Sequence, residues 1–274
     1  MTLLKGPMSL NYKIEHEITL TKDEHLRSLE LSKDKNPIHS SEEAAEKFKQ
    51  KLGINEEGLI LEGAHSIGLL ESHPEISNHY ILGVSRVSFE YPVVIKDTKK
   101  IKYCLERFHD NPFYMYKVSI KDCNERAILT GNIHTTPSYE IFKQITDQKE
   151  HTLSEAEKMK IGEIVLDDSK INEYCKTFHI DSESYHKKYG DNISGMMAAF
   201  FIPGKLVSLI ENFENKTYVY KKQDLDICLK GIGKSELKIY GEIPKPKLGL
   251  YKLKVLVKGI EGIIAKSETI AAAF

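Results

Sequence analysis

Between Ser32 and Phe48 the chain reads SKDKNPIHSSEEAAEKF, and within it Asp34, Asn36, Pro37 and His39 fall close together. An acid and a histidine five positions apart, with a rigid turn between them, can point into one cleft. A neutral imidazole takes or gives a proton near neutral pH, and a carboxylate beside it can hold and order a water molecule. Asn36 can bind the turn backbone, and Pro37 restricts Asn36 to extended geometry. One Asp and one His are too few ligands for a metal ion. The plainer reading is a helix start: Ser40 and Glu43 stand at capping-box spacing, with Asp34 and His39 as solvated neighbours.

The elements around this stretch decide between the two readings. Ser41–Leu52 is charged and amphipathic, and Leu59–Leu70 (LILEGAHSIGLL) is apolar; both read as helices. From His79 to Thr136 the runs ILGVSRVSFEYPVVI, KIKYCLERF, FYMYKVSIKD and AILTGNIHTT alternate with turn residues, as DNP at Asp110–Pro112 and KDCNER at Lys121–Arg126. They predict an antiparallel meander. The second half repeats the order. An apolar helical stretch covers Ile193–Ile210, and the strand-like runs TYVYKKQDLDICL, SELKIYGEI, LYKLKVLVKG and GIIAKSETIAA follow. Gly231, Gly233, Pro244, Pro246, Gly249 and Gly262 punctuate them. Pro137–Lys160 between the halves is polar and reads as a connecting helix or linker. Helix then meander, twice, implies two α+β domains, expected over residues 1–140 and 141–274.

The bulk properties narrow the function classes. The chain has 274 residues with a net charge of −1, so no global basic field draws it to nucleic acid. Hydrophobic residues make up 41%, enough for a sizeable core. The most apolar run is broken by Pro203, Gly204 and Lys205, short of the about 20 apolar residues of a membrane span. Cys104, Cys123, Cys175 and Cys228 are scattered without CxxC spacing, which reads as reduced thiols in a cytoplasm. MTLLKGPMSLNYK has no long apolar core of the kind a secretion signal carries.

D-x-N-P-[ILV]-H, with a small residue six positions on (Ala45), resembles the hydratase motif of the MaoC-like, (R)-specific enoyl-thioester hydratases and dehydratases. LILEGAHSIGLL is similar to the family's central helix, VSFEYPVVIKDT to its strand v-x-F-x-x-P-V-x-x-G-D-T, and AILTGNI to its last strand. The resemblance covers Tyr12 to about Pro137. It implies a double hot-dog, with two antiparallel sheets each wrapping a long central helix. The first unit would carry the motif, and the second would complete a pseudo-dimer. HIDSESYHKKYGDNIS in the second half offers Asp181, His186 and Asp191 at the wrong spacing, and Tyr185 and His186 read as surface or rim.

By that resemblance Asp34 and His39 form the catalytic pair, Asn36 orients them, and the Gly63 N–H meets the thioester oxygen at a helix start. No cofactor is implied. The implied partner is an acyl thioester of CoA or of acyl carrier protein, with neither nucleic acid nor membrane. A double unit holds its own pseudo-dimer, so a monomer and a homodimer of double units both fit. Two positions depart from the family pattern. Glu62 stands where the family has His, and is expected to point away from a developing anion. Lys96 stands for a glycine. His65 reads as a helix-packing residue before a pocket residue. Lys96, Lys99, Lys100 and Lys102 form either a basic patch for CoA phosphates or a carrier protein, or a solvated hairpin. The apolar MMAAFFIPGKLVSLI reads as core, with some residues also lining an acyl tunnel. The competing functions are a non-catalytic acyl-binding subunit and a hot-dog thioesterase. For the thioesterase, Glu62 would be the working carboxylate.

Overall fold

The computed structural model describes residues 12–110, 113–147, 159–190, 193–202, 205, 218–227, 236–242, 247, 249–259 and 262–273. The first half opens with strand β1 (Tyr12–Thr21), helix α1 (Lys22–Ser32), the single turn α2 (Pro37–Ser40) and helix α3 (Glu42–Leu52). Then come β2 (Leu59–Ile60), the central helix α4 (Gly63–Gly68), β3 (Tyr80–Phe89), β4 (Val94–Ile95), β5 (Thr98–His109), β6 (Tyr114–Asp122) and β7 (Ala127–Thr136). Helix α5 (Tyr139–Asp147) packs on β3 and β7. The second half runs β8 (Met159–Val165), α6 (Asp168–Thr177), α7 (Ser182–Tyr189), central helix α8 (Gly195–Phe200), β9 (Tyr218–Ile227), β10 (Glu236–Glu242), β11 (Leu250–Gly259) and β12 (Gly262–Ala273).

The strands join in one 10-stranded sheet, ordered β1-β5-β6-β7-β3-β9-β12-β11-β10-β8, while β2 and β4 pair separately. Read inward from either edge the order is the same. The first strand of the half lies outermost, a three-strand meander follows, and the strand after the central helix meets its counterpart at the middle. That seam is antiparallel, with Gly83 opposite Asp226 and Val84 opposite Leu225. A Cβ on Gly83 would lie 2.4 Å from the Leu225 carbonyl oxygen, so the seam closes on a glycine. One apolar core runs through both halves. The expected α+β repeat is present, and its two sheets are fused edge to edge.

Several local expectations change. Leu59–Leu70 is not one helix. Leu59 and Ile60 pair with Ile95 and Val94, so the helix begins only at Gly63 and passes into a 3-10 turn at Leu69–Ser72. The central helix is therefore short. The cap of α3 is Ser41, not Ser40: the Ser41 hydroxyl accepts from the Ala44 N–H at 3.4 Å, and Glu43 pairs with Lys47 at 2.6 Å. Ser40 is used up as the last residue of α2, which Asn36 caps. The capping box occurs on α1, between Thr21 and Glu24. The strand β8 and the helix α1 lack the apolar periodicity that would announce them, whereas β1 carries it, with Ile14, Ile18 and Leu20 alternating with Lys13, Glu15, Glu17 and Thr19. Of the apolar stretch 193–210, only Gly195–Phe200 is a described helix; Pro203, Gly204 and residues 206–210 lie outside the described residues, as do Cys228, Gly231, Gly233, Pro244, Pro246, Asn111, Pro112 and most of the N-terminal segment.

Candidate active site

The turn that carries the motif is built by local hydrogen bonds. Lys33 ends α1 in the left-handed conformation, with φ of 59°. The chain then folds over Asp34, whose Oδ1 accepts the Asn36 N–H at 2.8 Å. Asn36 caps α2 through the Ile38 N–H at 3.4 Å, and Pro37 takes the first helical position, where its missing N–H costs nothing. His39 thereby sits on a rigid single turn. Its Nδ1 lies 2.8 Å from the Ile60 carbonyl oxygen, which can only accept, so Nδ1 carries the proton and Nε2 keeps its lone pair.

His39 lines a cavity of about 250 Å³ together with Gly63, Ser66, Phe89, Ile128 and Lys221. Gly63 opens α4, where first-turn N–H groups have no partner within the helix. A Cβ there would fall 2.5 Å from Phe89 Cε1, so the ring requires a glycine. Phe48, Leu52 and Ile54 add apolar wall. Val219, Tyr220 and Lys221 come from β9, so the second half closes the first half's cavity. That contribution crosses more than a hundred residues of sequence, and no local motif signals it.

Asp34 is placed differently from His39. It is buried and does not line the cavity; it lies against Glu62. Glu62 does not line the cavity and so points away from it, but into the core: its side chain is completely buried, and Ser28 of α1 donates to its Oε2 at 3.2 Å. Burial pushes the Glu62 carboxyl well above the usual carboxylate range, and the charge of Asp34 pushes the same way. The pocket for Glu62 exists because α1 turns Ser28 and Ser32 inward. Both belong to the buried stripe His25, Ser28, Leu29 and Ser32, which has helical spacing but too few apolar residues to be read as one.

Two further histidines stand behind His39. His25 Nε2 lies 2.9 Å from the His39 carbonyl oxygen, and burial, then the charge of His39, lowers its pKa to about 4. His65 is fully buried with its ring 5.2 Å from the Phe178 ring, and burial, then neighbouring His25, lowers it to about 3. It is a packing residue of α4 and does not reach the cavity. Lys96, Lys99 and Lys100 pair with Glu57, Glu56 and Glu17 at 2.6, 2.7 and 3.1 Å, and Lys102 pairs with Glu125. The run KDTKKIK is thus a solvated ribbon of ion pairs. Among the described residues no group of three or more His, Cys, Asp or Glu could hold a metal ion, and no helix is long and apolar enough to cross a membrane.

Among the described residues the second half has no such turn. Ser194 and Gly195 open α8 as Glu62 and Gly63 open α4, but here protein groups fill the place of a ligand. The Ser194 N–H donates to the Tyr185 hydroxyl at 2.6 Å, and its Oγ donates to Glu71 Oε2 at 3.0 Å. Tyr174 and Tyr189 also donate to Glu71, at 2.9 and 3.1 Å. Tyr185 is core, not rim. Asp181 caps α7 through the Ser184 N–H at 2.7 Å, His186 is half-buried, and Asp191 lies outside the described residues.

No family model matches the chain, and no curated protein matches it by sequence. Solved structures do. A Mycobacterium tuberculosis protein described as having a double hotdog fold superposes with a TM-score of 0.70 at 9% identity, covering 97% of each chain. The fold is a double hot-dog. A Chloroflexus aurantiacus protein described as a MaoC domain protein dehydratase matches with a TM-score of 0.68 at 11% identity, over 97% of this chain and 96% of that one. A Lactobacillus plantarum protein described as an oleoyl thioesterase matches with a TM-score of 0.53 at 9% identity, over 97% and 98%. At such identities the likeness establishes the double hot-dog architecture, within which both dehydratases and thioesterases are found.

Proposed function

We propose that the chain is an enzyme that adds water to trans-2-enoyl thioesters, or removes it from (3R)-3-hydroxyacyl thioesters, of CoA or acyl carrier protein. The observation that carries this reading is His39. Its Nδ1 is tied to the Ile60 carbonyl, its Nε2 keeps a lone pair, and it faces a cavity that also holds the first turn of the central helix. In hydration, His39 Nε2 takes a proton from water as the water oxygen bonds to C3 of the enoyl chain. The electron pair of the C2–C3 double bond moves toward the thioester, whose oxygen becomes negative. In this reading the N–H of Gly63, which opens the central helix and lines the cavity, is the donor for that oxygen. The imidazolium then returns a proton to C2. Asp34 is the second member of the pair, held by Asn36, and acts from behind the histidine turn. The apolar wall from Phe48, Leu52 and Ile54 suits an acyl chain. The dehydratase description of the Chloroflexus protein agrees with this chemistry.

The test is loss of enoyl absorbance with crotonyl-CoA and a longer trans-2-enoyl-CoA. Turnover that both Asp34→Asn and His39→Ala abolish supports the reading. Thioester hydrolysis is the second reading, favoured by one observation: a buried carboxyl, Glu62, at the start of the central helix. Free thiol released by the wild type and the dyad variants, but not by Glu62→Gln, would replace hydration with hydrolysis.

A further inference from the structure

Glu62 belongs to no step of the chemistry above, yet it is sealed in the protein beside Asp34. The bonds of the two carboxyls are nearly all accounted for. Asp34 Oδ1 has the Asn36 N–H, and Glu62 Oε2 has the Ser28 hydroxyl. Two oxygens are left over, Asp34 Oδ2 and Glu62 Oε1, and each is buried without a donor from the protein. The two carboxyls act on each other through charge and through a hydrogen bond, with Ser28 and Ser32 as the neutral donors around Glu62. Two buried carboxylates side by side repel each other, and a proton on Glu62, whose carboxyl burial and Asp34 both push upward, relieves that repulsion. A single carboxyl proton also gives the two leftover oxygens the donor they lack.

We propose that Glu62 is a positioning residue: its carboxyl keeps a proton on Oε1 and donates it to Asp34 Oδ2, so that the Asp34 side chain is fixed in orientation. The proton belongs on Glu62 rather than Asp34 for two reasons. Aspartic acid is intrinsically the stronger acid, and a backbone N–H pointed at Oδ1 favours its anion. Glu62 accepts only from neutral hydroxyls and has no cation among the groups that chiefly act on it. In this arrangement Glu62 touches no substrate. Its backbone leads directly into Gly63, so the same residue couples the acid of the dyad to the start of the central helix.

The inference rests on the hydration reading for its kinetic arm alone; a spectroscopic arm stands without it. Infrared difference spectra of the full chain with carbon-13-labelled glutamate, taken at neutral pH, should contain a buried carboxylic-acid band that Glu62→Gln removes. In the hydration assay Glu62→Leu should lower kcat by about 10- to 100-fold, the factor carried by one lost hydrogen bond to a buried charge, with little change in KM. Glu62→Gln keeps an N–H for Asp34 and an acceptor for Ser28, so it should recover most of that loss. Absence of the acid band in the wild type overturns the proposal. So does a Glu62→Gln variant as slow as Glu62→Leu, which would mean that the carboxyl itself is used chemically. If the wild type hydrates nothing, the proposed function fails by itself, and the infrared band still decides the protonation of Glu62.

Discussion

Replacing His65 with leucine tests how strictly the interior around the candidate site excludes charge. His65 is completely buried, and neither ring nitrogen has a hydrogen-bond partner. Its folded pKa is lowered to about 3 by burial, with His25 next. An unfolded histidine titrates near 6.5, so below that pH the unfolded chain takes up a proton that the folded chain refuses. The stability associated with neutral His65 is therefore complete above about pH 6.5 and falls as the pH drops toward about 3. From about pH 7.5 to about pH 5 the loss is roughly 1.5 units at 1.36 kcal/mol each, or about 2 kcal/mol from this residue. Buried Glu62 and Glu71, whose carboxyls are pushed upward by burial, favour the fold in the opposite direction over the same range. The difference between the two proteins isolates His65. Leucine ends the cost of two unpaired nitrogens and does not titrate, so His65→Leu should match or exceed the wild type at neutral pH and gain about 2 kcal/mol on it by about pH 5. Urea unfolding at both pH values, followed by circular dichroism, measures this directly. Parallel pH dependences in the two proteins would refute the reasoning, because His65 would then have access to solvent or to a charge partner.

Gly63→Ala places a methyl group 2.5 Å from Phe89 Cε1 and must displace that ring, which is part of the cavity wall. Turnover should fall by at least about tenfold while the melting temperature moves by only a few degrees, a pattern read by paired kinetic and thermal assays. Glu71→Ala strips the acceptor from Tyr174, Tyr189 and Ser194, and should cost about 3 kcal/mol in urea unfolding through unpaired buried hydroxyls. Gly83→Val sets a side chain against the Leu225 carbonyl at 2.4 Å, and should loosen the seam by about 2 kcal/mol or more, with faster amide exchange across β3 and β9.

The turn that carries the motif was legible because its geometry is local. Asn36-Pro37 makes the turn, and Asp34, Asn36 and Ile38 hydrogen-bond within it. The meander strands were equally plain, since β-branched and aromatic residues alternate between polar turns, and the repeat of helix and meander could be read from order alone. Helix α1 could not, because it turns His25, Ser28 and Ser32 inward and its hydrophobic pattern is weak. β1 does carry a period of two, with Ile14, Ile18 and Leu20 on one face and Lys13, Glu15 and Glu17 on the other. Leu59–Leu70 misled because two of its apolar residues are claimed by pairing with Val94 and Ile95, a partner more than thirty positions away.

The sequence by itself determined the local devices: the capped turn that presents His39, the glycine that opens the central helix, and the division into two similar halves. Tertiary structure alone decided where each polar side chain spends its charge. Glu62 lies between Asp34 and Ser28 of a helix placed by packing, and burial pushes Glu71 above the usual carboxylate range although three hydroxyls from the other half donate to it and oppose that push. The wall of the cavity comes from β9 because two sheets meet at Gly83. Hydrogen bonds between near neighbours are written in spacing, whereas desolvation and charge pairing depend on segments brought together only when the core closes.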